Sequence, residues 1–114
     1  MKIRIGSTKY ELNKRSDKEM TQCKSIAYQD DERIEDVEIA GFTSFFDCKI
    51  DINNSYPAQT KKQTFWHEAV HAILQEVGQS ELCENEDFVE SVGKQLYGFH
   101  EDNNLEKIYS FLEK

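Results

Sequence analysis

Two histidines and a glutamate lie within one short stretch of this 114-residue chain, His67-Glu68-Ala69-Val70-His71. Residues four apart share one face of an α-helix, so both imidazoles can bind a single metal ion. Glu68 lies about 100° around the helix, where it can hydrogen-bond a water molecule in an open metal position. Zinc binds histidine nitrogens and lowers the pKa of a bound water molecule towards about 7. A nearby glutamate can then take a proton from that water. The spacing therefore predicts zinc ligands at His67 and His71 and a general base at Glu68.

The residues around this motif predict a buried helix from about Ala58 to Val77. Apolar side chains cover most of its circumference when the residues are projected at 100° each. Pro57 suits the start of the helix, and Gly78 suits the position after its end. Polar groups in a core are costly unless they are paired or metal-bound, which favours a metal site over two structural histidines satisfied by hydrogen bonds.

A catalytic zinc needs a third protein ligand, which we expect from a second helix at about residues 84–99. Along this helix Glu86, Glu90, Gly93 and Tyr97 form one stripe beside the apolar face. Gly93 allows close approach of the two helices, although glycine costs a helix about 1 kcal/mol relative to alanine. Glu86 is favoured as the ligand because histidine–carboxylate sets are usual for zinc. Glu90, one turn later, is placed to accept a hydrogen bond from the histidine ring nitrogen that does not bind the metal.

Other residues are alternatives for the roles around the metal. His100, at the end of the predicted second helix, is the main rival to Glu86 as third ligand, and Glu84 and Glu90 are further candidates. A hydrolytic site also needs a hydrogen-bond donor for the developing oxyanion. Tyr97 and His100 are candidates for that donor by position alone.

The first half of the chain predicts a small, mainly antiparallel sheet that packs on the central helix. Residues 2–5 and 8–12 alternate around Gly6, which indicates a β-hairpin. Two more strands are predicted at 42–46 and 48–53, where apolar residues again recur at strand spacing.

Three further segments complete the prediction. Ser16 is typical of the residue that begins a helix. Met20 and Cys23 would lie on the buried side of the short helix that follows. Residues 25–40 show only weak strand character. A C-terminal helix at about 103–112 is expected to pack as a cover.

The length of the chain favours one α+β domain that spans residues 1–114. Its sheet-rich part is predicted at 1–56. Its helical part, which carries the metal site, is predicted at 57–114.

Charge and composition narrow the classes of partner. The chain has 14 basic and 22 acidic residues, a net charge of -8, which argues against nucleic acid or an anionic membrane. No run approaches the length of a membrane span, and the N-terminus lacks the apolar region of a signal peptide, so we expect a cytoplasmic protein. The three cysteines form no C-x-x-C pair, which favours free thiols in a reducing compartment.

Two stretches together resemble the gluzincin metallopeptidases. Residues 64–74 carry the H-E-x-x-H motif, and residues 85–90 begin with an Asn-Glu pair and have an acidic residue four positions after that glutamate. More closely, residues 41–97 resemble small phage and bacterial metallopeptidases related to the ImmA/IrrE group. That group has Glu-x-x-Ala-Asn followed by Phe-Ala in the second motif, and this chain departs from that pattern after Glu86.

The resemblance implies a minimal zinc-dependent peptidase with one zinc ion. It implies Glu86 as third ligand and Glu90 as the residue that orients a histidine. The strand nearest the cleft, at 48–53 or 42–46, could bind an extended peptide or protein substrate by strand addition.

Two other functions compete with peptide hydrolysis. A non-catalytic protein-binding module on a metal-stabilised scaffold, encoded by a phage or mobile element, would suit the small size of the chain. Such a module has no need for Glu68 and tends to close the fourth metal position with protein. A metal-dependent hydrolase or deaminase acting on a small molecule is a weaker option, because the C-x-x-C partner of zinc deaminases is missing.

Overall fold

The computed structural model describes residues 1–21 and 40–114, which form an α+β fold. Its four strands are β1 Lys2–Ile5, β2 Thr8–Arg15, β3 Gly41–Ser44 and β4 Lys49–Asn53. They make one sheet in the order β1-β2-β4-β3. The β1–β2 and β3–β4 pairs are antiparallel and the central β2–β4 pair is parallel, which confirms the predicted fold class and mainly antiparallel sheet. After the sheet come the helices α1 Ala58–Glu76, α2 Ser80–Cys83, α3 Glu86–Asp102 and α4 Leu105–Glu113.

One face of the sheet and helix α1 form the hydrophobic core. The β1–β2 hairpin turns at Gly6, whose φ of 61° lies in the left-handed region. The hairpin and β4 then bring buried apolar side chains against α1. These core residues are Ile5, Tyr10, Ile50, Ile52 and Ala72.

Strand β3 is shorter than predicted. It ends at Ser44, whose Oγ accepts a hydrogen bond from the Asp47 N–H at 3.3 Å and so helps to close the following turn. Phe45 and Phe46 lie in this turn, and Phe46 is 97% exposed. The prediction of a strand to residue 46 was therefore wrong, because it relied on the general preference of aromatic residues for strands.

Helix α1 has nearly the predicted bounds but is less buried than expected. It ends at Glu76, and Gly78 follows with a φ of 75°. The sheet, α2 and α3 cover parts of the helix surface. Ile73 and Val77 remain exposed, at 39% and 62%. The prediction of a helix buried nearly all round was wrong, because the spacing of apolar residues does not show how many other elements pack around the helix.

The predicted second helix corresponds to α3 in the structure. The short helix α2 precedes it, and α3 starts two residues later than expected. Asn85 separates them and caps α3, because its Oδ1 accepts a hydrogen bond from the Phe88 N–H at 3.0 Å. The cap sets where the first turn of α3 begins.

The C-terminal helix α4 does not act as a cover. None of its nine residues is buried, and Tyr109, Phe111 and Leu112 are 57%, 78% and 69% exposed. The predicted packing was therefore wrong for the part of the molecule that the structure describes. Although α4 is amphipathic, no helix within residues 1–21 and 40–114 has both the length and the apolar character needed to cross a bilayer.

A helical segment at residues 17–21 follows β2, as predicted. Ser16 Oγ accepts a hydrogen bond from the Glu19 N–H at 3.2 Å, and Glu19 Oε1 accepts one from the Ser16 N–H at 3.1 Å. This reciprocal pair is a capping box. Met20 is buried, as expected. The predictions for Cys23 and for nearly all of residues 25–40 lie outside the described residues.

Glu76, the last residue of α1, binds the turn of the β1–β2 hairpin. Its Oε1 accepts hydrogen bonds from the Ser7 N–H at 2.8 Å and from Ser7 Oγ at 2.5 Å, and its Oε2 accepts one from Thr8 Oγ1 at 2.9 Å. The bonds from Ser7 are the main reason why the pKa of Glu76 lies below its usual value. The carboxylate therefore joins the hairpin to the far end of the helix that carries the histidines.

We expect Glu76→Gln to lower the melting temperature at neutral pH, because the amide loses the negative charge that these donors stabilise. The folded-state pKa is depressed, so the contribution is present above the unfolded value of about 4.5 and is lost as pH falls through the folded value. The difference between wild type and variant should therefore shrink on acidification below about pH 5. Thermal unfolding measured from pH 7 to pH 3 tests this, with the exposed Glu113→Gln as control. A difference that grows on acidification would contradict it.

Candidate metal centre

Three predicted ligands from two helices meet in one cluster. His67 and His71 lie on successive turns of α1, with ring centroids 5.0 Å apart. Glu86, the first residue of α3, directs Oε2 to His67 Nε2 at 3.0 Å and Oε1 to His71 Nε2 at 3.1 Å. One ligand atom from each residue lies within 4.8 Å of the others. The structure thus brings together the residues predicted to hold the metal.

Gly93 allows the two helices to approach at this point. A Cβ atom added to this buried residue would lie only 3.2 Å from both the backbone N and the Cα of His67. A larger residue would push α3 away from α1 just where the first histidine sits. The stripe predicted along α3 therefore has a structural basis, with Glu86 and Glu90 on the turns that precede this contact.

The second ring nitrogen of each histidine also has a partner. His67 Nδ1 lies 2.6 Å from Glu90 Oε2, and His71 Nδ1 lies 3.6 Å from Cys83 Sγ. Nε2 of the same His67 ring faces the Glu86 carboxylate, so a neutral ring donates to one carboxylate and turns its lone pair to the other. With the proton on Nδ1, His67 donates to Glu90 and its Nε2 lone pair faces Glu86. This is the arrangement in which a metal-binding histidine is oriented through its other nitrogen.

The contacts of Glu86 fit a shared cation. When both histidines are neutral with Nδ1 protonated, two Nε2 lone pairs and a carboxylate face one another, and all are acceptors. A cation among the three groups would accept a lone pair from each, whereas without a cation a ring proton on Nε2 would bond to the carboxylate instead. Ligand atoms 2.0–2.2 Å from a tetrahedral zinc are about 3.3–3.5 Å apart. The observed nitrogen–oxygen distances of 3.0 and 3.1 Å are shorter than this and equal ordinary hydrogen-bond distances, so the ligand atoms would move slightly apart to hold a zinc ion.

Glu68 is held beside the cluster by the edge strand β3. Its side chain is buried, and its Oε2 accepts a hydrogen bond from Thr43 Oγ1 at 2.6 Å. Burial raises the pKa of Glu68, while the bond from Thr43 opposes that rise. Gly41 leaves room for α1, because a Cβ atom there would lie 2.5 Å from Thr64 Cγ2 and 3.0 Å from Glu68 Cγ. Strand β3 therefore fixes the conformation of the predicted general base.

The remaining candidates lie outside the cluster. Glu84 is the exposed residue directly after α2. His100 stacks on Trp66, with ring centroids 4.5 Å apart and planes at 16°. At 1.5 Å per residue, His100 lies about 21 Å along α3 from Glu86, and Tyr97 lies about 16 Å from it. The structure therefore does not bring His100 to the histidine pair.

Sequence reasoning missed two residues that contact the site. Thr43 comes from a strand about 25 positions before Glu68, and Cys83 from the short helix α2. Burial raises the pKa of the Cys83 thiol, and the negative charge of Glu86 adds to this rise. Neither residue forms a spacing pattern with the motif, so no signal in the sequence identifies them.

No family model, curated protein or solved structure matches this chain at a significant level. The resemblance to gluzincins and to the ImmA/IrrE group therefore stays a prediction. It rests on the H-E-x-x-H motif and on the acidic residues that open α3.

Proposed function

We propose that this protein is a zinc-dependent peptidase. The observation that carries the proposal is the position of Glu86, whose two carboxylate oxygens face the Nε2 atoms of His67 and His71 while Glu68 lies beside the pair. Two histidines and a carboxylate would hold the metal and leave a position open, as in catalytic rather than structural zinc sites. When bound, zinc would polarise a carbonyl group and acidify a water molecule.

Glu68 would move the proton. One of its oxygens, Oε2, is engaged by Thr43, so Oε1 would accept a proton from the attacking water and pass it to the leaving amine. Burial raises the pKa of Glu68 and so makes its carboxylate a stronger base, which would assist the first of these two proton transfers. Glu90 would keep the His67 ring oriented during the reaction by accepting a hydrogen bond from Nδ1.

The order of strands favours β3 over β4 as the place for an extended peptide. Strand β4 pairs on both sides, with β2 and β3, so it has no free edge. Strand β3 lies at the edge and pairs only with β4 among the described strands. Because Thr43 of β3 contacts Glu68, a peptide added along this edge would lie next to the proposed general base.

The proposed function can be tested by measuring peptide cleavage after the metal is removed and after it is added back. The purified protein should contain one zinc per chain and should cleave peptides in a pool of unstructured sequences, as read by mass spectrometry. A chelator should abolish cleavage, and one equivalent of zinc should restore it, whereas magnesium should not, because it prefers oxygen ligands. Absence of zinc binding would contradict the proposal. Zinc binding without cleavage of any peptide in the pool would favour a non-catalytic metal-stabilised module instead.

A further inference from the structure

Cys83 is a buried thiol in contact with His71 at two points. Its Sγ lies 3.6 Å from His71 Nδ1 and 3.4 Å from the His71 carbonyl oxygen. It is only 5% exposed, and it reaches α1 because the short helix α2 folds back against that helix. The thiol therefore contacts both the ring and the backbone of one predicted ligand.

We propose that Cys83 is a positioning residue that keeps His71 in the Nδ1–H form and so directs the Nε2 lone pair to Glu86. The S–H donates to the His71 carbonyl oxygen, which leaves the sulfur lone pairs to accept from Nδ1–H. The metal-affinity part of this inference rests on the proposed zinc site. In metal-free protein the Nε2–H form, which donates to Glu86, competes with the Nδ1–H form, and the contact with the sulfur raises the share of the latter.

The two histidines are then oriented by chemically different groups. His67 has a charged carboxylate, Glu90, whose side chain is 50% exposed. His71 has a thiol that lies in the protein interior. A second carboxylate at this buried position would cost desolvation free energy, whereas a neutral thiol can accept a weak hydrogen bond at a smaller cost.

The geometry also separates this role from metal ligation. The sulfur faces Nδ1, while Nε2 of the same ring faces Glu86 Oε1 at 3.1 Å. The thiol and the predicted metal position are therefore on opposite sides of the imidazole. Cys83 acts through His71 and is not an alternative to Glu86 as third ligand.

Zinc affinity, measured by competition with a chromophoric chelator, provides the first test. Loss of a group that orients a metal ligand typically weakens binding about 10- to 100-fold, which is the loss expected for Cys83→Ala. Cys83→Ser should stay within about threefold of wild type, because a hydroxyl can donate and accept at the same two points. Ile50→Val is the matched control. It removes one heavy atom from a fully buried side chain of the sheet and should leave zinc affinity unchanged.

Nitrogen NMR of the histidine rings in metal-free protein provides the second test. Wild type and Cys83→Ser should show a larger Nδ1–H population of the His71 ring than Cys83→Ala, in which the Nε2–H form that donates to Glu86 should gain. Equal zinc affinity and identical His71 ring signals in Cys83→Ala and Ile50→Val would overturn the inference. If wild type binds no zinc, the proposed function fails, and the NMR comparison still decides the role of Cys83.

Discussion

Glu68→Gln is expected to keep its zinc while peptide hydrolysis falls by about a thousandfold, within the range typical of general acid–base catalysis. Glutamine has nearly the same shape, and its carbonyl oxygen can still accept the hydrogen bond from Thr43 Oγ1. It cannot take a proton from water at neutral pH. The variant should fold at least as well as wild type, because a neutral amide costs less to bury than a carboxylate.

The comparison needs zinc content, melting temperature and turnover for the same preparations. Glu84→Gln is the control, since Glu84 is an exposed glutamate near the site that contacts neither histidine in the described structure. It should hydrolyse peptides at the wild-type rate. Turnover of Glu68→Gln equal to that of wild type would eliminate the proposed mechanism even if the zinc site is correct.

Local signals in the sequence predicted the helical part of the site well. Pro57 and Gly78 bound α1 within one or two residues, because the first has a fixed φ that suits a helix start and the second tolerates positive φ. The stripe of Glu86, Glu90 and Gly93 identified the face of α3 that meets α1. The spacing of residues predicts this face because one side of α3 packs against a single helix, α1.

The errors arise where tertiary packing decides the outcome. Phe45 and Phe46 have strong strand preference but lie in a turn, and the apolar residues of α4 suggested a cover although α4 buries none of them. Thr43 and Cys83 reach the site from other elements. Such contacts depend on how elements pack in three dimensions, which a pattern within one segment does not encode.

Glu86→Ala is the second variant with a large expected effect, because Glu86 is the only predicted ligand outside the H-E-x-x-H motif. Removing a direct ligand should weaken zinc binding by more than the 10- to 100-fold typical of an outer partner. Zinc at 100 times its dissociation constant stabilises a folded protein by about 2.7 kcal/mol. Excess zinc should therefore raise the melting temperature of wild type but have little effect on that of the variant.

Two matched variants separate ligation from general charge effects. Glu84→Ala removes the same charge two residues earlier, and His100→Ala removes the rival ligand, whose ring stacks on Trp66 instead. Both should bind zinc as wild type does, while His100→Ala should lose some stability with the ring contact. Retention of zinc in Glu86→Ala together with its loss in His100→Ala would reverse the assignment. It would also require α3 to pack differently on α1, because the contact at Gly93 and the length of α3 hold His100 far from the histidine pair.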